Sequence, residues 1–511
     1  MPVRYRKSLA AAARRISCLF VGGLAALSIS ASASAQDLDD GAALLYYKTP
    51  QKPRYLRVAV EEFALLGLGL AQYWYDKESN SRDWQFSYDW PSFRARLEGK
   101  AYAFDSNGFD TNFLFHPIAG TLYYLTPRSN RFDPFASFAI ALGTSWLWEF
   151  FGEFQEKPSI NDLVVTPVAG MAWGETTTQL GAFFLRACPT AANQMLGSVL
   201  APMTALHDAI DGAERLPSCN PDAPEAHRFR LSATGGEAWS EGLNAYPFVK
   251  FGLRTEVMHL TRFARPGVGW STFSDGNVSR LGVGVTLATA PSEVADFSLL
   301  TQTVIAGLHY RNNDYHKGYL RRREAIFGLL VGAEYTRHRY QPGQPPDRIF
   351  LLDLPAFTAR YYGSSANIGW ELTLDAGGVF GGADSFALSR AMFEAPPAPD
   401  LTSVATAEGY NHVAGIALNP RFRLELQGAE LGLEARSERM LAWRVSDHTG
   451  KSASTPVSEQ RRRTRWWISV GTPHLVRFTV ATSWTQRSGE VGEVRVSRNE
   501  LSLDAGLELA P

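Results

Sequence analysis

From about residue 226 to the C-terminus, apolar and polar residues alternate with a period of two. Leu501, Leu503, Ala505, Leu507 and Leu509 alternate with Ser502, Asp504, Gly506 and Glu508. Phe422, Leu424 and Leu426 alternate with Arg421, Arg423, Glu425 and Gln427, and Leu281, Val283, Val285 and Leu287 with Gly282, Gly284, Thr286 and Ala288. Successive side chains of a strand point to opposite faces, so each segment has one apolar and one polar face.

A soluble β-sandwich gives the same alternation, but three further features point to a membrane barrel. The segments are long, about 10 to 17 residues, whereas tilted membrane strands need roughly 9–11 and soluble strands average about five or six. Aromatic residues sit near segment ends (Trp239, Tyr246, Tyr310, Tyr361, Trp443, Trp466, Trp484), as an interfacial girdle requires. Late connections also alternate: tight near 364–365, 428 and 471–474, longer near 382–411, 446–461 and 487–492. Short periplasmic turns opposite long external loops produce that rhythm. Twelve segments are expected, near 226–239, 245–259, 279–289, 294–310, 323–339, 347–363, 366–381, 412–427, 429–445, 462–471, 474–486 and 493–510. Upstream of residue 347 the rhythm breaks, because 260–278 and 311–322 read as long turns on the short-turn side. The fold class is thus a β-barrel membrane protein of about 12 antiparallel strands, within a range of roughly 10–14, with an N-terminal mainly α-helical domain.

The chain opens with Arg4, Arg6, Lys7, Arg14 and Arg15, then the apolar run Leu19 to Ile29, then Ala33-Ser34-Ala35 before Gln36. That order reads as a cleaved signal peptide over residues 1–35 and predicts export to the outer membrane of a Gram-negative-type bacterium. Without it, 45 Lys and Arg face 51 Asp and Glu, a net charge of −6, which argues against a nucleic-acid partner. Cys188 and Cys219 remain, and in an oxidising compartment a disulfide between them is the expectation.

Residues 36–220 have a different period and are expected to form a mainly helical periplasmic or lumen-filling domain with a connector, followed by the barrel over 221–511. Arg54 to Tyr75, Phe135 to Gln155 and Asn161 to Ala187 are apolar with helical spacing, Pro167 marking a kink or break in the last. None reads as an inner-membrane span: Tyr55 to Tyr75 is interrupted by Arg57, Glu61 and Glu62, Phe135 to Trp148 is shorter than the roughly 20 residues needed, and Leu163 to Leu185 contains Pro167 and Glu175. Trp84 to Phe104 alternates like a strand and is expected to extend the sheet. Residues 188–225, with five prolines, read as a connector pinned by the disulfide.

Between residues 105 and 175 stand Asp105-Ser106-Asn107, Asn112, His116-Pro117, Gly120, Tyr123-Tyr124, Arg128-Ser129, Trp148-Glu149, Glu153, Pro158-Ser159-Ile160-Asn161-Asp162 and Gly174-Glu175. This ordered set resembles an uncharacterised bacterial envelope family known as domain of unknown function 3943. The resemblance implies an envelope protein and brings no activity with it.

Within that stretch His116, Glu149, Glu153, Asp162 and Glu175 are the catalytic candidates, and Asn112 and Arg128 the binding candidates. Glu149 and Glu153 are one helical turn apart, as are Asn112 and His116. Two carboxylates and a histidine converging in an apolar setting can bind a divalent metal or act as acid and base, with Arg128 as an anion clamp. The stronger reading is structural: Glu149 pairs with Arg128 or a protonated His116, and Ser159 or Asn161 caps the helix that follows. No cofactor is expected, since the chain has no Gly-rich phosphate loop, nucleophile elbow, His-Glu-x-x-His helix or paired Cys-x-x-Cys. Arg321-Arg322-Arg323 and Arg461-Arg462-Arg463 with Arg465 stand at strand starts, suited to lipopolysaccharide phosphates at a rim or to anions in a lumen.

The leading functional expectation is a non-enzymatic outer-membrane barrel with a role in structure, assembly or solute passage. Its expected partners are outer-membrane lipid including lipopolysaccharide, the barrel-assembly machinery and an unidentified small solute. The alternatives are an envelope lipid- or cell-wall-modifying enzyme centred on His116, Glu149 and Glu153, and a soluble periplasmic binding protein.

Overall fold

The computed structural model describes residues 47–49, 51–76, 84–215, 223–260, 262–290, 292–340, 342–343, 346–384, 387–388, 391, 400–443, 454–472 and 475–509. The signal-peptide expectation and Cys219 lie outside these residues.

Strands β1 (His227–Ser240), β2 (Tyr246–Met258), β3 (Gly267–Phe273), β4 (Val278–Thr289), β5 (Ser292–His316), β6 (Tyr319–His338) and β7 (Asp347–Ser365) build the first half of one antiparallel sheet. β8 (Ile368–Asp384), β9 (Tyr410–Leu426), β10 (Ala429–Ala442), β11 (Val457–Gly471), β12 (Val476–Val491) and β13 (Val494–Leu509) complete it. β1 pairs with both β2 and β13, and β5 with β6, so the sheet closes. β3 and β4 pair with successive stretches of the same edge of β5, 307–313 and 292–304, so together they form one interrupted stave. The barrel therefore has the expected twelve staves. Closure pairs the sheet all round through β4, as a hydrocarbon surrounding requires, while β3 extends that stave and pairs with β5 alone.

The connections resolve the broken rhythm. The expected turn at 260–278 contains β3, and 311–322 is the end of β5, the two-residue turn Lys317-Gly318 and the start of β6. Both turn residues have positive φ, 50° and 85°, which a two-residue hairpin needs. The expected long loop at 487–492 is likewise mostly strand, turning at Gly492 (φ 61°). On the side of the β1 start and the β13 end the hairpins after β5, β7, β9 and β11 are short, while the long connections 385–409 and 443–456 lie opposite.

The polar faces point inward. Ion pairs join strands that are not neighbours: Arg461 of β11 with Glu334 of β6 (3.2 Å), Arg436 of β10 with Asp353 of β7 (2.8 Å) and Arg360 of β7 with Glu256 of β2 (2.6 Å). Such contacts can form only across the lumen. The alternate residues, including Leu431, Ile468, Phe478, Leu503 and Leu507, point outward and are exposed. Apolar outside and charged inside is the arrangement of a barrel solvated by lipid. Of the expected girdle, Trp239, Tyr361 and Trp466 are outward and exposed, whereas Tyr246 is buried and reaches the Arg339 carbonyl.

Among the described residues, seven helices precede the barrel: α1 (Tyr55–Tyr75), α2 (Trp90–Leu97), α3 (His116–Ser129), α4 (Pro134–Leu147), α5 (Asp162–Arg186), α6 (Ala191–Leu200) and α7 (Pro202–Asp211). Among the described residues, no helix is long and apolar enough to cross a membrane. The strand expected within Trp84 to Phe104 is α2, begun by Asp89, whose side chain accepts from the Ser92 amide at 2.8 Å. Pro91 suits this first turn, where no backbone donor is lost. Pro167 sits inside α5 without ending it, and the expected connector contains α6 and α7.

The helices do not fill the lumen. α5 lies against outward-facing residues of the wall: Thr176 meets Thr303 of β5 at 3.0 Å, and Trp173 packs edge-on against Phe350 of β7. Phe109, Phe113, Val168 and Ala172 form one buried cluster with Ile305, Val331, Tyr335, Phe350, Phe380 and Tyr410 of the wall. The lumen is instead occupied by its own charged side chains, and Ala223, Ala226, Leu260, Phe263 and Ala264 pack in it against Val304, Ile326 and Leu330.

Candidate functional site

The candidate cluster forms where two π-helical turns, Thr111–Phe115 before α3 and Trp148–Gly152 after α4, meet the start of α5. Such one-residue expansions re-aim side chains and are frequent at functional sites. The extended segment around Ala103 pairs with 158–160: the Ala103 amide donates to the Pro158 carbonyl and the Ile160 amide to the Ala103 carbonyl. That pairing brings Asp105 beside the α5 N-terminus, where its amide donates to Asn161 Oδ1 at 2.8 Å.

Ser159 caps α5, its Oγ accepting from the Asp162 amide at 3.2 Å and donating to Asn161 Oδ1 at 2.8 Å. Asn161 Nδ2 holds Asp162 Oδ1 at 2.9 Å, and the same oxygen meets His116 Nδ1. His116 and Asp162 thus form a close pair, about one fifth of the histidine side chain being exposed and the aspartate buried. His116 Nε2 makes no hydrogen bond among the described residues.

Burial disfavours a charged His116, but the Asp162 carboxylate and its hydrogen bond prevail and hold the imidazole up to about 9. Burial likewise disfavours the Asp162 carboxylate, and His116 and Ser159 together bring it below its ordinary value. Glu149 is buried and accepts from the Ser159 amide at 2.7 Å. Burial pushes both Glu149 and Glu153 well above the carboxylate range, helped by each glutamate's acidic neighbours. Two carboxyls that burial biases toward their protonated forms thus stand beside a His–Asp pair, an arrangement able to give or take protons. Among the described residues no three His, Cys, Asp or Glu converge to hold a metal ion.

The expected Glu149–Arg128 pairing does not form. Arg128 of α3 reaches Glu175 of α5 with two nitrogens, at 2.8 and 3.0 Å, and Asp275 of the β3–β4 bulge at 2.7 Å. Tyr124 donates to the same carboxylate at 2.6 Å and Gln179 at 2.5 Å, and Gln179 also reaches the Asp275 carbonyl. Gly276 has φ 66°, and a Cβ there would lie 2.4 Å from the Glu175 carboxylate. Glu175 and Arg128 therefore fasten helix to wall. Asn112 does the same higher up, donating to the Tyr410 hydroxyl at 2.8 Å, while His412 Nε2 meets the Asp105 carbonyl at 3.2 Å.

Arg96 of α2 was not among the sequence candidates. It is wholly buried and donates to the carbonyls of Glu149 (2.8 Å), Phe150 (3.2 Å), Glu153 (2.9 Å) and Glu156, with Phe154 facing its guanidinium at 4.9 Å. It satisfies the orphan carbonyls that end the α4 run, a role with no local sequence signal.

Residues 101–203 match the family model described as Domain of unknown function (DUF3943). That segment holds the whole cluster. No curated protein matches the chain. Among solved structures, the outer membrane phospholipase A from Escherichia coli is similar at 13% identity and TM-score 0.25, over 54% of this chain and 89% of that one. A Pseudomonas aeruginosa FadL homologue is similar at 6% identity and TM-score 0.23, over 56% and 90%. The transport unit of the autotransporter AIDA-I from Escherichia coli follows at 9% and 0.22, over 57% and 92%.

Proposed function

We propose that this protein is an exported outer-membrane barrel with an occluded lumen, whose helical layer is a fixed part of its outer wall and whose role is structural or in assembly. The observation that carries this reading is the lumen itself. Glu334 binds Arg461 and Arg463 across it while Glu438 holds the same two arginines from the neighbouring strand, Arg436 is held by Asp353, and Arg487 pairs with Asp347 at 3.0 Å. Breaking such buried pairs is costly, so they oppose an open water path. The outward apolar band supports residence in lipid, lipopolysaccharide included. Insertion would then need the barrel-assembly machinery, after export through a cleaved signal peptide.

Two measurements test the reading. The protein is expected in the outer-membrane fraction, migrating differently on gels with and without boiling, and recovery as a soluble periplasmic species would sink it. Reconstituted into planar bilayers it is expected to show no steady channel current, and stable openings would remove the occluded-lumen half of the proposal.

The His116–Asp162 pair beside the buried Glu149 supports a second reading, an envelope enzyme acting on lipid or cell-wall material. Its test is hydrolysis of outer-membrane phospholipid or peptidoglycan by the folded protein, lost in His116→Gln.

A further inference from the structure

We propose that the barrel lumen binds a phosphate-type oxyanion in a cleft lined by Arg254, with Arg465 beside it opposite the lining residue Glu434. The cleft is lined by Arg228, Arg230, Arg254, Arg280, Arg421 and Arg423 but by only three acids, Glu256, Glu371 and Glu434. Those acids are already engaged: Glu434 with Arg280 (3.1 Å), Glu371 with Arg423 (2.7 Å) and Glu256 with Arg360 (2.6 Å).

Arg254 has no ion pair or hydrogen bond among the described residues, its guanidinium lying 6.0 Å from the Trp467 ring. Arg465 is in the same position, and its Nε is a buried donor without an acceptor. Lys250 lies within electrostatic reach of both, with Asp504 and Asp296 as its own acidic neighbours. Glu508, the other acid near Arg254, faces Arg230 at 3.3 Å. Around the cleft Nη1 of Arg280 and Nε of Arg230 and Arg421 are further buried donors lacking acceptors.

Buried donors are ordinarily satisfied, and like charges are not ordinarily gathered without a counter-ion. A tetrahedral oxyanion meets both needs, since guanidinium forks match its oxygens and a bound anion relieves the repulsion. The alternation of β11 explains why this site was only half visible as an arginine run. Arg461, Arg463 and Arg465 all face inward, but the first two have Glu334 and Glu438 as partners.

The experiment uses the full chain folded in detergent, with inorganic phosphate as the probe and chloride at equal ionic strength as the control. Phosphate is expected to raise the melting temperature saturably and chloride not to. Arg254→Gln and Arg465→Gln should each leave the phosphate-free melting temperature unchanged or raised, because a repelling charge is removed, and should weaken phosphate binding at least tenfold. Arg321→Gln, at a turn outside the cleft, should bind as the parent does. Equal stabilisation by phosphate and chloride, or undiminished binding by both lumen variants, would overturn the site. A second arm offers vesicles containing a phosphate-bearing lipid A. Protection there without a response to inorganic phosphate assigns the oxyanion to a headgroup, the converse assigns a free solute, and a response to neither overturns the proposal.

Discussion

The barrel has two outward walls built to one pattern and covered in two ways. On β10 to β13 the outward residues Leu431, Ile468, Phe478 and Leu503 are exposed apolar side chains with nothing of this chain over them. On β5 to β9 the outward residues nearest the long loops are just as regular in sequence, yet Phe350, Leu352 and Tyr410 have no exposure because helices lie on them. The covered wall differs in two details. It admits close approach at glycine, as at Gly382, where a Cβ would lie 2.1 Å from the Phe113 ring, and it offers polar anchors in Tyr410, His412 and Asp275. A wall meant for lipid needs neither, since lipid is deformable and accepts no hydrogen bond in its apolar region.

The sharpest way to break the comparison is to cut the anchors on the covered wall alone. Arg128→Met leaves the buried Glu175 without its cation, at a cost of about 3–5 kcal/mol. The helical layer should become protease-sensitive and melt early while the boiling-dependent gel shift of the barrel persists. Simultaneous loss of both would show that the two regions are one cooperative unit. Gly120→Val should act in the same direction, because a Cβ at Gly120 falls 1.8 Å from the Thr166 carbonyl oxygen at the α3–α5 crossing.

Equivalent truncations on the two walls come next. Phe350→Ala opens a cavity beneath Trp173 and Phe113 and should cost about 3–5 kcal/mol. Phe478→Ala, on the bare wall, should cost clearly less because lipid fills the space. Equal losses, read as urea midpoints in detergent or lipid, would mean that the bare wall is also covered.

The acid–base cluster separates the walls by pH. His116 has a folded value of about 9, above its ordinary value of about 6.5. Its stabilising contribution is therefore complete below about 6.5 and lost as pH rises through about 9. The raised Glu149 and Glu153 act with the same sign, since the folded state holds protons that the unfolded state releases as pH climbs past the ordinary carboxylate value. Melting of the helical layer should fall between pH 6.5 and 9, and His116→Gln should flatten that slope. An unchanged slope would remove His116 from the explanation.

The smallest effect is expected from Glu149→Gln. A buried partner of Arg128 would make this change severe, but Glu149 accepts from the Ser159 amide and favours its protonated form, which the amide mimics. The melting temperature at pH 7 should move by only a degree or two, about what ~0.5 kcal/mol produces in a domain of this size. For the connector, Cys188 and Cys219 should resist alkylation until a reductant is added, and ready labelling of both would refute the expected disulfide.

Alternation every second residue gave the apolar and polar faces, because side-chain direction in a strand follows from position alone, and segment length, aromatic ends and loop rhythm were needed to read a twelve-stave barrel from it. Helical period was enough for α1, α4 and α5, and Ser159 announced the start of α5. The placement of those helices was not readable: an apolar stripe fits a lumen, a bundle or an outer wall equally well, and only the shape of the partner surface chooses. The candidate residues divided for the same reason. His116, Glu149 and Asp162 came together through a strand pairing between residues 103 and 159, whereas Arg128 and Glu175 turned to Asp275, 100 residues beyond Glu175 in the chain. Composition and spacing state which charges a chain must neutralise. Tertiary structure decides which partners do it, because Coulomb attraction and hydrogen bonding act through space and take no account of sequence separation.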